Sequence, residues 1–240
     1  MPLGLPDSIR ACLFDLDGVL TDTASLHRAA WAAAFDPILS DHDQSSFRDE
    51  DYNDYVDGKP RLDGVRDFLQ SRDIEVPEGD EDDPADANTI NGIGTRKNQD
   101  LLRRIKNDGV VVFPGSRDYL AAAVDAGLRR VVVSSSANTA DVLQVTGLAA
   151  SIEHRVDGVT IKARGLNGKP APDSFLAGAR CVELEPAQAA VFEDATAGVQ
   201  AGRAGNFGFV VGINRLDAAH GDALRAHGAD IVVTDLAELL

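Results

Sequence analysis

Five short apolar runs constrain the fold most: Ala11-Cys12-Leu13-Phe14, Arg130-Val131-Val132-Val133, Ala189-Ala190-Val191-Phe192, Phe209-Val210-Val211-Gly212-Ile213 and Ile231-Val232-Val233. They are continuous rather than alternating, and the four later ones, taken together, are rich in β-branched residues, as expected of strands covered on both faces. From about Val110 onward they alternate with helical patterns at 116–126, 139–146, 174–184, 197–204 and 218–226. That rhythm predicts an α/β fold: a Rossmann-like parallel sheet of about five strands with helices on both faces. Aromatic residues make up only 5% of the chain, so its core must rest on Ala, Val, Leu and Ile.

Residues 24–106 break the rhythm, with helical stretches and no convincing buried strand. The expected organisation is a core formed by 1–23 and 107–240, with a helical cap domain, 24–106, inserted after the first strand. At 240 residues the chain is long enough for both. An insert placed there is positioned to act as a lid. Within it, Glu78-Gly79-Asp80-Glu81-Asp82-Asp83-Pro84 reads as a solvated acidic loop. A formal charge of −16 opposes a sequence-independent grip on nucleic acid or an anionic membrane. Phosphorylated metabolites stay open, because local cations override the overall field. Cys12 and Cys181 lie among apolar residues and read as buried thiols of a reducing compartment. No leader and no span of membrane length is visible, so a cytoplasmic, soluble protein is expected; a monomer is expected as well.

The first apolar run ends in Asp15-Leu16-Asp17-Gly18. Residues i and i+2 of an extended chain point the same way, so both carboxylates can face one pocket. Crowded carboxylates need either a cation between them or a proton on one of them. Both outcomes suit phosphoryl transfer, with one acid as nucleophile and metal ligand and the other as general acid and base. A lone Asp-x-Asp would more simply be a solvated turn. The continuation through Val19, Asp22 and Thr23 argues against that.

Three later motifs follow in order: Val133-Ser134-Ser135-Ser136, Gly168-Lys169-Pro170-Ala171-Pro172-Asp173, and Phe192-Glu193-Asp194-Ala195-Thr196-Ala197-Gly198. Together with the first, they resemble the haloacid dehalogenase superfamily of Asp-nucleophile phosphotransferases over essentially the whole chain. The first motif with His27 and Trp31, Arg96-Lys97-Asn98, and Ser134 through Asn138 are similar to the β-phosphoglucomutase group. Dehalogenases proper lack the second aspartate, so Asp17 points to phosphate. The resemblance implies that Asp15 forms an aspartyl phosphate, Asp17 moves the proton and Lys169 neutralises the transferring group. It implies Mg²⁺ held by Asp15, the Asp17 carbonyl, Asp194 and Glu193, since Mg²⁺ takes oxygen ligands. Taken alone, Asp194 also reads as a helix N-cap. Ser134, Ser135 and the following amides, at a strand end opening into a helix, suit phosphate oxygens.

Within that resemblance, the expected reaction interconverts β-glucose 1-phosphate and glucose 6-phosphate through a sugar bisphosphate. The alternative is a sugar-phosphate phosphatase. A non-catalytic phosphometabolite-binding module is disfavoured by intact Asp15, Asp17, Lys169 and Asp194. A mutase must also grip the phosphate that is not reacting. Arg61, whose guanidinium binds phosphate bidentately, is the leading candidate. Thr23, Gly58, Lys59, Lys97, Ser136 and Asn138 complete the expected substrate contacts. His27 is either a partner of the acid–base aspartate or a helix histidine packed on Trp31 and Phe35. The chain departs from the mutase pattern twice: Asp57 stands where a lysine precedes the glycine, and Ala137 where Lys or Arg often lies. Lys59 is then the cation nearest the first gap.

Overall fold

A computed structural model of the chain describes residues 2–240. They form two compact units, one from residues up to Asp22 together with Val110–Leu240, the other Thr23–Gly109. The first unit is built on six parallel strands: β1 (Ala11–Phe14), β2 (Arg129–Val133), β3 (His154–Val156), β4 (Ala189–Glu193), β5 (Phe209–Ile213) and β6 (Ile231–Val233). Their order is β3-β2-β1-β4-β5-β6, with Phe14 of β1 in register with Val132 and Phe192 on either side. Around the sheet lie α5 (Pro114–Asp125), α6 (Thr139–Val145), α7 (Gly158–Arg164), α8 (Asp173–Cys181), α9 (Thr196–Ala204) and α10 (Ala218–Ala226).

The central strands are buried throughout, which is why their sequences run apolar without alternation. Leu13, Val131, Val133, Phe175, Val191, Val199 and Val210 form one continuous core cluster. Phe14 stacks on Phe192 with ring centroids 4.6 Å apart. The sixth strand, β3, is a correction to the sequence reading. It is an edge strand with two of its three residues exposed, so it carries no apolar run to announce it. Helix α7 was equally silent; Asp157 caps it by accepting from the Thr160 amide at 2.9 Å. After β1 the chain builds β2 and β3 on one side and then crosses to β4 on the other. The carboxyl ends of β1 and β4 therefore flank the point where strand order reverses, the usual ligand crevice of open α/β sheets.

The second unit contains α1 (Ala24–Asp41), α2 (Asp49–Asp51) running into a π turn (Tyr52–Val56), α3 (Arg61–Ser71) and α4 (Ile90–Asp108). Its core gathers many of the scarce aromatics: Trp31 stacks on Phe35 at 5.1 Å, and Phe35 meets Phe68 at 4.2 Å. The buried Asp51 takes both its oxygens onto Arg72 at 2.8 and 2.7 Å. The acidic loop is exposed, as expected, though Glu78 pairs with Arg66 and Asp83 accepts from Thr89, which caps α4. Cys12 is buried, whereas Cys181 is only half-buried. Among the described residues, no helix is long and apolar enough to cross a membrane.

Candidate active site

Asp15 is the first residue beyond β1, where its amide still bonds to Phe192 O at 2.9 Å across the sheet. Its carboxylate is buried and accepts from Lys169 Nζ at 2.5 Å. The same ammonium, only 3% exposed, donates to Val133 O at 3.2 Å and to Glu193 Oε1. The ring of Phe175 lies 4.9 Å from Nζ. Glu193, the last residue of β4, is fully buried, and its second oxygen accepts the Ala195 amide at 3.2 Å. Burial strips water from Asp15 and raises its pKa well above the carboxylate range, with Glu193 and Asp17 adding to the rise and Lys169 opposing it. Burial alone would pull the Lys169 ammonium down, but Asp15 and Glu193 outweigh it and hold the lysine charged.

Two residues on, Asp17 Oδ2 lies 3.4 Å from Ser134 Oγ at the end of β2. The serine hydroxyls also shape their own turn: Ser134 Oγ accepts the Ser136 amide at 3.1 Å, and Ser136 Oγ the Asn138 amide at 3.2 Å. Gly158 lies so close that a Cβ there would sit 2.6 Å from Ser135 O. Asp15, Glu193 and Asp194 each offer an oxygen, all within 4.8 Å of one another. Such a set of hard oxygens suits Mg²⁺. Glu193 is engaged on both oxygens, by Lys169 on one and the Ala195 amide on the other. Asp194 is not the N-cap of α9; that position falls to Ala195.

Gly18 is required twice. Its φ of +80° disfavours any side chain, and a Cβ there would fall 1.7 Å from Asp194 Oδ2. Gly18→Ala should therefore displace Asp194 and lower turnover about 100-fold, with a stability loss of only about 1–2 kcal/mol. Kinetics beside a thermal melt check this; unchanged turnover would mean that Asp194 need not sit where it does.

The remaining predicted residues, apart from Asn138, lie in the second unit. Arg61 opens α3, and its Nε is buried with no hydrogen-bond partner; burial also lowers its pKa. Gly94 on α4 makes room for the neighbouring Leu62, since a Cβ there would lie 2.7 Å from Leu62 Cδ2. Lys97 is buried on α4, 3.1 Å from His27 Nδ1 and 5.0 Å from the Trp31 ring. An ammonium can only donate, so His27 Nδ1 accepts. Histidine and tryptophan thus share one lysine. Lys59, the cation nearest Asp57, is paired with Asp67 at 2.6 Å. Arg96 binds Ala85 O at 2.7 Å and Ala34 O at 3.2 Å, a fastening within the unit. Thr23 and Asn138 are buried, and Gly58 takes a φ of +69° at the turn before α3. Two residues near the site escaped the sequence reading: Arg215, bonded to Gly18 O at 2.7 Å, and His220, at 2.8 Å from Asp194 O. Their one signal was position, just past the carboxyl end of β5.

A family model for haloacid dehalogenase-like hydrolases matches residues 9–206. The chain belongs to this family. Within it, the chain is 58% identical over 246 residues to a β-phosphoglucomutase of Mycobacterium bovis, covering 99% of this chain and 94% of the relative. It is 28% identical over 243 residues to the validoxylamine A 7′-phosphate phosphatase of Streptomyces hygroscopicus subsp. limoneus, covering 96% and 95%. Among solved structures, a β-phosphoglucomutase from Clostridium difficile superposes with a TM-score of 0.77 at 25% identity, covering 97% of this chain and 93% of that one. The family's α/β fold is the one described above.

Proposed function

We propose that this chain is a Mg²⁺-dependent β-phosphoglucomutase, interconverting β-glucose 1-phosphate and glucose 6-phosphate through the 1,6-bisphosphate. The observation that carries the mutase over the phosphatase is 58% identity, along nearly the whole chain, to a relative bearing that name. The geometry supplies the parts. In one half-reaction, an Asp15 oxygen attacks phosphorus, the bond from phosphorus to the sugar oxygen breaks, and Asp17 gives that oxygen a proton. In the other, Asp17 takes the proton from a sugar hydroxyl, whose oxygen attacks the aspartyl phosphate and frees Asp15. Lys169, bonded to Asp15 and kept charged, neutralises negative charge at the transferring group. Asp15, Asp194 and the Asp17 carbonyl would hold Mg²⁺, which supplies further charge neutralisation at the phosphoryl oxygens. Glu193 then serves mainly to fix Lys169.

The non-reacting phosphate is assigned to Arg61. A buried guanidinium nitrogen without a partner is costly unless an acceptor arrives. Arg61→Ala should lower mutase kcat/KM about 100- to 1,000-fold while changing hydrolysis of a small aryl phosphate less than about threefold. Equal losses on both substrates would contradict a distal grip. The decisive assay for the activity supplies Mg²⁺, β-glucose 1-phosphate and a trace of glucose 1,6-bisphosphate, and follows glucose 6-phosphate and free phosphate together. Accumulating phosphate without glucose 6-phosphate would favour the phosphatase.

A further inference from the structure

The connection from β5 to α10 carries none of the four motifs, yet it reaches both loops on which the candidate metal ligands lie. Arg215 donates from Nε to Gly18 O at 2.7 Å and from a terminal nitrogen to Val19 O at 3.4 Å. Its other terminal nitrogen donates to Thr234 O at 2.8 Å and lies 3.6 Å from Asp235. The guanidinium plane is further held over the Phe113 ring, 3.7 Å from its centroid. Five residues later, His220 Nε2 lies 2.8 Å from the backbone oxygen of Asp194. A carbonyl only accepts, so Nε2 carries the proton.

The connection is itself stiff. Asp217 caps α10 by accepting the His220 amide at 2.9 Å. Asn214 bonds forward to Asp217 O at 2.8 Å and accepts the Leu216 amide at 3.1 Å. Gly221 leaves room for this, since a Cβ there would lie 2.9 Å from Asn214 Nδ2. The two loops it holds touch each other, for Gly18 packs directly against the Asp194 carboxylate. A shift of either loop therefore changes the distance between Asp15 and Asp194.

We propose that this connection is a positioning bracket, in which Arg215 fixes the loop after Asp17 and His220 fixes the backbone of Asp194, and that the bracket sets the affinity for the divalent cation. This rests on the reading that Asp15 and Asp194 hold Mg²⁺. Hydrogen-bonded groups behind a metal's ligands typically govern affinity about 10- to 100-fold.

The test is Mg²⁺ binding to the full chain by calorimetry, without substrate, beside a thermal melt of each variant. His220→Leu removes the donor and should weaken Mg²⁺ about 10-fold or more. His220→Gln, whose amide can donate to the same carbonyl, should stay within about threefold of the wild type. Arg215→Met should weaken Mg²⁺ comparably to His220→Leu. Unchanged affinity in His220→Leu, or equal losses in the Leu and Gln variants, would overturn the bracket while leaving the metal reading in place. Absence of Mg²⁺ binding by the wild type, or binding untouched by Asp194→Ala, would overturn the metal reading and the bracket with it.

Discussion

Asp15→Asn should abolish turnover, by about 10⁴-fold or more, on sugar phosphates and aryl phosphates alike. The loss is common to both because the first transfer uses the same oxygen whatever the leaving group. This separates Asp15 from Arg61, whose loss should be felt only where a second phosphate is present. The effect on stability should run the other way. Asp15 is buried, and its carboxylate lies close to Glu193, with Lys169 as the shared counter-ion. Among these three buried groups, two carboxyl groups share one cation. Asparagine removes one of these acids at nearly constant shape, and Lys169 keeps Glu193 and Val133 O. The melting temperature in chelator should therefore stay level or rise by about 2–6 °C. Intact-mass detection of covalent phosphate after exposure to glucose 1,6-bisphosphate gives the chemical readout. Phosphate on the wild type and none on the variant is the expected pair. A phosphorylated variant would place the nucleophile elsewhere, and a large fall in melting temperature would contradict the charge count.

The sheet was legible because its central strands are covered on both faces. β1, β4 and most of β5 announce themselves as unbroken apolar runs, and Asp15 and Glu193 are read as the polar residues that interrupt them. Of the two edges, β6 was legible as Ile-Val-Val, whereas β3 was not, because it is His-Arg-Val, exposed along two of its three residues. The predicted residues of the first motif and Glu193-Asp194 fall into one cluster because they sit at or just past the carboxyl ends of the adjacent strands β1 and β4, and Lys169 reaches them from the loop between α7 and α8. The second unit was read less well. Lys59 looked like a spare cation in sequence, but Asp67, eight residues on in α3, pairs with it. His27 could be read two ways, and neither reading named the partner the structure gives it, Lys97, seventy residues on. Arg215 and His220 bind backbone carbonyls, and a carbonyl leaves no mark in the sequence of the residue that offers it.

Lys169→Met should be as damaging to turnover as any other change outside Asp15, about 1,000-fold or more, because the transferring group loses its buried cation. Here the fold should suffer too. Two carboxylates, Asp15 and Glu193, are left buried without their shared partner, the situation that typically costs about 3–5 kcal/mol and about 10 °C in melting temperature. The penalty should depend on pH in a direction fixed by Asp15. Its folded pKa is already raised by burial, and losing Lys169 removes the main influence holding it down. A group whose folded pKa lies above its unfolded value binds more protons folded than unfolded, so stability falls as pH rises through that interval. The gap in melting temperature between Lys169→Met and the wild type, measured in chelator, should thus widen as pH rises past the point at which Asp15 ionises in the folded wild type. A gap that narrows instead would mean that the two carboxylates find solvent or another cation when Lys169 is gone. Adding Mg²⁺ separates those outcomes. If Asp15 and Asp194 hold the ion, it should restore part of the lost stability at the higher pH, where Asp15 is free to ionise, and little at the lower.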